Sequence, residues 1–212
     1  MNILFVADPL ESFKIYKDTT FSMMREAQRR GHRLSACEPA DIRWRSGALV
    51  QALVRDIQLT EQSAHWFDEQ GRRDAALCEF DAIVMRKDPP FDTEFFYATH
   101  LLGQAEREGA RVFNRPAALR EHPEKLALME FPEFTSPTLV TRRADDVRAF
   151  QAEHGDIILK PLDGMGGMGI FRVRADGMNL GSIIETLNRD GSQTLMVQRY
   201  VPDIVKGDKR IL

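Results

Sequence analysis

The sequence predicts an α/β protein in which an open parallel-sheet domain is followed by a smaller α+β unit. Three observations lead to this prediction. Strand patterns alternate with helical patterns over about the first 120 residues, a Pro-punctuated stretch then interrupts that order, and three strand-like segments follow it. Repeated strand, helix and strand implies parallel pairing through crossover helices in the first domain.

The first domain opens with a buried strand and an amphipathic helix. The strand pattern is "NILFVAD" at residues 2–8, and helical spacing follows over 18–32. Asp18, Thr19 or Thr20 is the expected N-cap, and Gly31 lies just past the end. Short apolar segments at 33–37 and 48–59 could be strands or a hairpin. The segment 80–92 predicts a strand that ends at charged residues and a Pro-Pro pair. A helix at 93–109 and a short strand at 110–114 follow.

The second unit starts after about residue 121 and mixes helices with strand-like segments. Its patterns are the Pro-punctuated stretch at 131–141, a helix at 144–155, strand-like segments at 156–162, 170–174 and 194–201, and a helix at 180–191. This mixed order of helices and strand-like segments predicts an α+β unit. The sequence contains no internal repeat.

Composition excludes several classes of function. The chain has 212 residues, 43% of them hydrophobic, with a net charge of −3 and a pI near 6.0, which argues against broad affinity for nucleic acid or anionic membranes. Cys37 and Cys78 form no C-x-x-C pair, and no apolar run is long enough to span a membrane. We therefore expect a cytoplasmic protein.

Charged residues mark the edge at which a ligand is expected. In open α/β sheets, ligands bind at the carboxyl ends of the strands. Here those ends are Asp8-Pro9, Arg86-Lys87-Asp88 and Asn114-Arg115.

A glycine-rich segment, "DGMGGMGIF", joins two strand-like segments. Gly164, Gly166 and Gly169 match the G-x-G-x-x-G spacing, but a strand pattern follows them, whereas the dinucleotide fingerprint requires a helix. A Walker loop is excluded because no Gly-Lys-Ser/Thr follows. Two interpretations remain, a flap whose backbone N–H groups cover phosphates and a flexible hairpin without a ligand.

Lys160 favours the flap because it ends an apolar strand, where an ammonium group is costly unless an anion meets it. In protein kinases the lysine follows the flap, whereas Lys160 precedes it. Three further features could belong to the same site: Lys125, which is predicted to open a helix, the strand and connector at 196–203, and the charged run at 206–212. Each also has a simpler interpretation as ordinary surface or loop.

Four strings together resemble the prokaryotic glutathione synthetase family of the ATP-grasp superfamily. They are "EAQRRGH", "MRKDPPFDTEF", "ILKPLDGMGG" and "GDKR", and the resemblance runs along the whole chain. It implies that residues 1–120 form an N-terminal, substrate-binding (pre-ATP-grasp) α/β domain. Residues 121–202 would then form the small ATP-grasp subdomain, and residues 203–212 the start of the large one.

The resemblance also implies roles for particular residues. Lys125 and Lys160 would bind ATP phosphates under a flap, a connector would meet adenine mainly through its backbone, and an acid would lie near the ribose. The implied ATP-binding residues are Lys125, Lys160, Gly164, Met165, Gly166, Gly167, Gln198, Arg199, Tyr200, Val201 and Asp208. Arg210 is the candidate catalytic residue, as a phosphate or substrate contact.

Arg86 is the candidate for a carboxylate of the peptide substrate, because a guanidinium group pairs with a carboxylate through two hydrogen bonds. Asp18 and Thr20 stand at a helix start that is expected to face the same edge, and they are further candidates. Simple helix capping explains these two residues at least as well.

The implied reaction is the ATP-dependent ligation of γ-glutamylcysteine to glycine in glutathione biosynthesis. ATP would phosphorylate the cysteinyl carboxylate, and the amine of glycine would attack the acyl phosphate. Such a transfer requires positioning and positive charge rather than a protein nucleophile. The family further implies a homo-oligomer with small-molecule partners, and neither nucleic acid nor membrane as a partner.

In the family, ligands for Mg²⁺ belong to the large ATP-grasp subdomain. These ligands are expected beyond residue 212, so no metal ligand is predicted within the chain, and we expect the 212-residue chain to have little or no ligase activity. Two alternatives stay open. One is another ATP-grasp carboxylate–amine ligase, against which the string "MRKDPPFD" at 85–92 argues, and the other is a non-catalytic nucleotide-binding module.

Overall fold

A run of apolar residues from Ile3 to Ala7 forms the buried centre of a seven-stranded sheet. The computed structural model describes residues 1–60, 62 and 64–209. The chain divides into two units, Met1–Pro123 and a second that begins at Glu124. The finer domain limits at residues 120 and 202 stay predictions.

The first unit contains the predicted alternation of strands and helices. In chain order its elements are β1 (Asn2–Val6), α1 (Thr19–Arg29), β2 (Arg33–Cys37), β3 (Ile42–Arg43), β4 (Gln51–Leu59), β5 (Phe67–Ala76), β6 (Ala82–Met85), α2 (Thr93–Arg107), β7 (Val112–Phe113) and α3 (Pro116–Glu121).

The centre of this sheet is parallel, as the sequence predicts. The strand order is β3-β4-β2-β1-β6-β7, with β5 paired to β4. β1 is parallel to both β2 and β6, and β6 is parallel to β7. The segments left open between strand and hairpin are strands β2 and β4, which pair antiparallel. Strand β5, which the sequence did not predict, adds a further antiparallel pair on β4.

Helices cover both faces of the parallel strands, which explains their continuous apolar sequence. Leu4 and Val6 pack in one core cluster with Leu102 of α2. The alternate residue Phe5 packs on the other face with Met24 of α1 and with Trp66.

The second unit is built on a four-stranded sheet of order β10-β9-β11-β8, in which all pairs are antiparallel. In chain order its elements are β8 (Thr138–Thr141), α4 (Ala144–His154), β9 (Ile157–Pro161), β10 (Phe171–Val173), α5 (Leu180–Asn188) and β11 (Leu195–Arg199). The three predicted strands and two predicted helices are confirmed. β8 lies in the Pro-punctuated stretch and was not predicted as a strand.

One face of this second sheet packs against its two helices. Ile157 and Leu159 of β9 are buried there with Val147 of α4 and Ile184 of α5. Because side chains alternate along a strand, Ile158 and Lys160 point to the opposite face. That opposite face is called the open face below.

Candidate functional site

The glycine-rich segment is the hairpin connection between β9 and β10, as the strand pattern on its two sides predicts. Gly167 has a φ of 81°, a left-handed backbone conformation that favours glycine. A Cβ atom on Gly164 would lie 3.0 Å from the Cγ atom of Pro161, so glycine also lets the loop fold back on the end of β9. Among the described residues, no hydrogen bond is made by the backbone N–H groups of Gly166 and Gly167.

The loop closes over a cavity of about 260 Å³ at the end of β9. Lys125 and Lys160 line it together with Glu124 and the glycine-rich loop. The Lys125 ammonium donates a hydrogen bond to the carbonyl of Gly164. The structure therefore brings the two predicted phosphate-binding lysines and the predicted flap into one place.

Lys160 is half-buried, and no hydrogen bond or ion pair in the described part of the chain reaches its ammonium group. Burial lowers the pKa of Lys160, the Lys125 ammonium lowers it further, and Glu124 acts in the opposite sense. Two ammonium groups facing one carboxylate leave the cavity with an excess of positive charge. An anion inside it would stabilise the charged form of Lys160.

Lys125 does not open a helix, contrary to the sequence prediction. Helix α3 ends at Glu121, and Lys125 lies in a turn before a short 3₁₀ segment, Ala127–Glu130. Pro123 accounts for the end of α3, because it lacks an N–H donor and restricts the backbone of the residue before it.

The predicted adenine connector begins at the opposite end of the open face. Gln198 and Arg199 still belong to β11, where the Gln198 amide donates to Thr138 Oγ1 at 2.8 Å. Tyr200 and Val201 follow the strand, and the Tyr200 N–H donates to the Asp156 carbonyl at 2.9 Å. Asp208 is exposed beyond this connector. Arg210 lies outside the described residues.

In the first unit, the structure brings Arg86 and Thr20 together. Arg86 follows β6, and its Nε donates to Thr20 Oγ1 at 3.1 Å. The Thr20 hydroxyl is buried, so it orients the guanidinium group of Arg86. No carboxylate in the described part of the chain pairs with Arg86, which leaves its remaining N–H groups for a ligand.

Asp18 takes the capping position that the sequence left open between three residues. Its Oδ1 accepts a hydrogen bond from the N–H of Phe21 at 2.9 Å. Capping therefore accounts for Asp18 without a ligand.

We expect Asp18→Ala to lower the free energy of unfolding by about 1 kcal/mol, because an N–H of the first helical turn loses its acceptor. Urea denaturation measures this change. Asp18→Asn keeps an acceptor oxygen, and asparagine caps helices as well as aspartate does, so the stability should change little. Equal losses in the two variants would show that the carboxylate charge, and not the hydrogen bond, stabilises the helix.

Asp8, Lys87 and Asp88 form a charged cluster beside Arg86, at the sheet edge where the sequence predicts a ligand, although none of the three was chosen as a site residue. The Lys87 ammonium pairs with Asp8 Oδ1 at 2.7 Å, and the N–H of Asp88 donates to Asp8 Oδ2 at 2.8 Å. The pKa of Asp88 is raised, first by the protein atoms around the carboxyl group and then by Asp8 and Asp18. The strand-end positions of these residues were the available signal.

A larger cavity, of about 400 Å³, lies in the first unit around Ser35, Asp56 and Arg73. Three of its polar groups satisfy one another, since Ser35 Oγ donates to Asp56 at 2.6 Å and Arg73 Nε to the same carboxylate at 3.1 Å. The smaller cavity contains the Lys160 ammonium, which has no hydrogen bond or ion pair to any described residue, so it is the better candidate site.

Within residues 1–60, 62 and 64–209, no three or more His, Cys, Asp or Glu side chains are grouped as metal ligands. Over the same residues, no helix combines the length and apolar character needed to cross a bilayer.

Two family models match successive parts of the chain. Residues 1–120 match the family model "Prokaryotic glutathione synthetase, N-terminal domain", and residues 124–212 match "Prokaryotic glutathione synthetase, ATP-grasp domain". Two relatives named glutathione synthetase are 56% identical over 212 residues, from Ralstonia nicotianae, and 53% identical over 215 residues, from Neisseria meningitidis. Each alignment covers all of this chain.

The chain spans 65% of the length of the Ralstonia relative and 68% of the Neisseria relative. Among solved structures, an ATP-grasp RimK domain protein from Sphaerobacter thermophilus aligns over 95% of this chain and 65% of its own, with a TM-score of 0.57 at 21% identity. At that identity the likeness supports the fold alone. The two family matches and the curated relatives confirm the resemblance drawn from the four sequence strings, and the chain belongs to the prokaryotic glutathione synthetase family.

Proposed function

We propose that this chain carries the peptide-binding and phosphate-binding halves of an ATP-dependent ligase that joins γ-glutamylcysteine to glycine. The γ-phosphoryl group of ATP passes to the cysteinyl carboxylate, and the glycine amine displaces phosphate from the resulting acyl phosphate. The single observation that carries the proposal is the half-buried Lys160 ammonium, without a partner among the described residues, beneath a glycine-rich loop.

The open face of the second unit fits a nucleotide laid along β9. Lys160 and Asp156 are four residues apart on this face, or about 13 Å at the rise of a strand. Lys160, Lys125 and the free N–H groups of the loop suit the triphosphate. The Tyr200 to Val201 backbone, which Asp156 anchors, suits the base.

The charged residues around Arg86 in the first unit suit a peptide that has both a carboxylate and an ammonium group. Arg86, oriented by Thr20, suits a carboxylate through paired hydrogen bonds. Asp88 lies close to two other carboxylates, so a substrate ammonium there would relieve their repulsion. In γ-glutamylcysteine, the γ-glutamyl residue has its free carboxylate and its ammonium group on the same carbon atom.

A bound Mg²⁺ would supply positive charge against the phosphates of ATP. The residues that the structure describes offer no group of three ligands, so we assign none of them to the metal. A cytoplasmic location and a homo-oligomeric state are proposed from the family alone.

Another carboxylate–amine ligase remains the alternative enzyme. The match of residues 1–120 to the N-terminal domain of the glutathione synthetase family favours the peptide substrate, because this domain is separate from the nucleotide-binding unit.

Isothermal titration calorimetry of the 212-residue chain tests the proposal with ATP and γ-glutamylcysteine as separate ligands. We expect ATP binding that Lys160→Met weakens and Arg86→Met does not, and peptide binding with the opposite dependence. ATP binding that is insensitive to Lys160 would refute the assigned phosphate site. Peptide binding unaffected by Arg86→Met would refute the assigned carboxylate site.

The lowered pKa of Lys160 predicts how nucleotide affinity depends on pH. Phosphates favour the ammonium form, so above the lowered pKa binding must take up a proton, and affinity falls as pH rises toward 10.5. Without nucleotide, the stability of the chain rises with pH over the same window, because Lys160 holds its proton more tightly in the unfolded state than in the folded state.

Titrations in buffers of different ionisation enthalpy measure this proton uptake. Lys160→Arg is the matched variant, because a guanidinium group stays protonated throughout. We expect its affinity to depend less steeply on pH in that window than that of the wild type, whatever its absolute value. An equal slope in the two proteins would assign the titration to another group.

A further inference from the structure

Three residues at the base end of the open face form a linked cluster that the sequence did not reveal. Arg172 of β10 donates from Nη2 to Asp156 Oδ2 at 2.6 Å, and its guanidinium carbon lies 3.7 Å from the centre of the Tyr200 ring. The other oxygen of Asp156 accepts from the N–H of Ala175 at 2.9 Å. The cluster thus joins the start of β9, the middle of β10 and the end of β11.

Strand register places this cluster on the face that we assign to the nucleotide. Arg172 pairs with Ile158, and Gln198 pairs with the same residue from the other side. Tyr200 lies two residues after Gln198, and its N–H bonds the carbonyl of Asp156, two residues before Ile158. Alternation of side chains then puts Arg172 and Tyr200 on the same face as Lys160.

The charges of the cluster hold the guanidinium group in place. The hydrogen bond from Arg172 is the main cause that keeps the pKa of Asp156 below its usual value, and the Ala175 N–H adds to it. Asp156 is therefore ionised at neutral pH and fixes Arg172 against the Tyr200 ring. A cation above an aromatic ring restricts the ring and the backbone that carries it.

We propose that Arg172 is a positioning residue for the nucleotide base: held by Asp156, it fixes the Tyr200 ring and so sets the Tyr200 to Val201 backbone against which adenine binds. This inference rests on the proposed function. It goes beyond it by assigning base affinity to a side chain that does not line the phosphate cavity.

Tripolyphosphate provides the probe that separates positioning from general support of the hairpin, because it has the phosphates of ATP but no base. We expect Arg172→Ala to weaken ATP binding about tenfold, which is the size of a cation–π contact, and to leave tripolyphosphate affinity within about twofold of the wild type. Arg172→Lys keeps the charge over the ring and should recover part of the ATP affinity.

Arg148→Ala is the matched control, since Arg148 is an exposed arginine in an ion pair on α4, away from the open face. We expect it to change neither affinity. Equal losses of ATP and tripolyphosphate in Arg172→Ala would overturn the inference in favour of a structural role for the hairpin. Unchanged ATP affinity in that variant would also overturn it, with the proposed function left standing. A wild-type chain that binds neither ligand would overturn the proposed function and the inference together.

Discussion

Lys160→Met should lower the affinity for ATP by about tenfold to a hundredfold, because a charge-assisted contact to a phosphate contributes about 1.5–3 kcal/mol. Methionine keeps most of the apolar stem, so the packing at the end of β9 changes little. The variant also removes an ammonium group whose pKa is lowered by burial, so the folded chain should lose no stability. Calorimetric titration with ATP measures the first effect and urea denaturation the second.

Lys206→Met is the matched control for this loss of charge. Lys206 belongs to the same unit but is exposed and pairs with Asp203 at 2.7 Å. If long-range attraction alone drew ATP to the unit, both variants would bind more weakly by a similar factor. The site that we assign requires the loss to be specific to Lys160.

The parallel core was predictable because its physical signal lies within each segment. A strand covered on both faces needs an unbroken apolar sequence, which β1 has from Ile3 onward. Helix α1 was similarly marked by its capping residue and by Gly31 just after its end. Such local signals require no knowledge of the partner elements.

Strands β5 and β8 could not be predicted because partners elsewhere in the chain make them strands. β5 is mostly exposed and charged, which resembles a loop, and it is extended because it pairs along the whole length of β4. β8 consists of half-buried residues in a proline-rich stretch, and among the described residues it is an edge strand whose one partner is β11.

Some residues of the candidate site could likewise be predicted from their own segment, and others could not. Lys160 was identifiable because a lysine at the end of an apolar strand is unusual by itself. Thr20 was chosen for its helix start, but its contact with Arg86 bridges residues 66 apart in sequence. The Arg172 and Tyr200 pair needs the register of three strands, and no single segment contains that information.

Leu159→Ala should destabilise the second unit by about 2–5 kcal/mol, since it removes a fully buried side chain and leaves a cavity against α4 and α5. Because the chain has two units, a signal from the whole chain would mix their unfolding. Hydrogen exchange followed by mass spectrometry resolves them. We expect faster exchange at the backbone amides of β9 and β11, with the amides of β1 and β6 unchanged.

Ile158→Ala is the control in the adjacent position of the same strand. Ile158 is half-buried on the open face, so its truncation should cost about 1 kcal/mol in stability. It should weaken ATP binding instead, because the nucleotide that we place along β9 would lose an apolar contact. Equal destabilisation of β9 by the two variants would mean that both faces of the sheet contribute alike to the stability of the unit. The assignment of one face to packing and the other to the ligand would then be wrong.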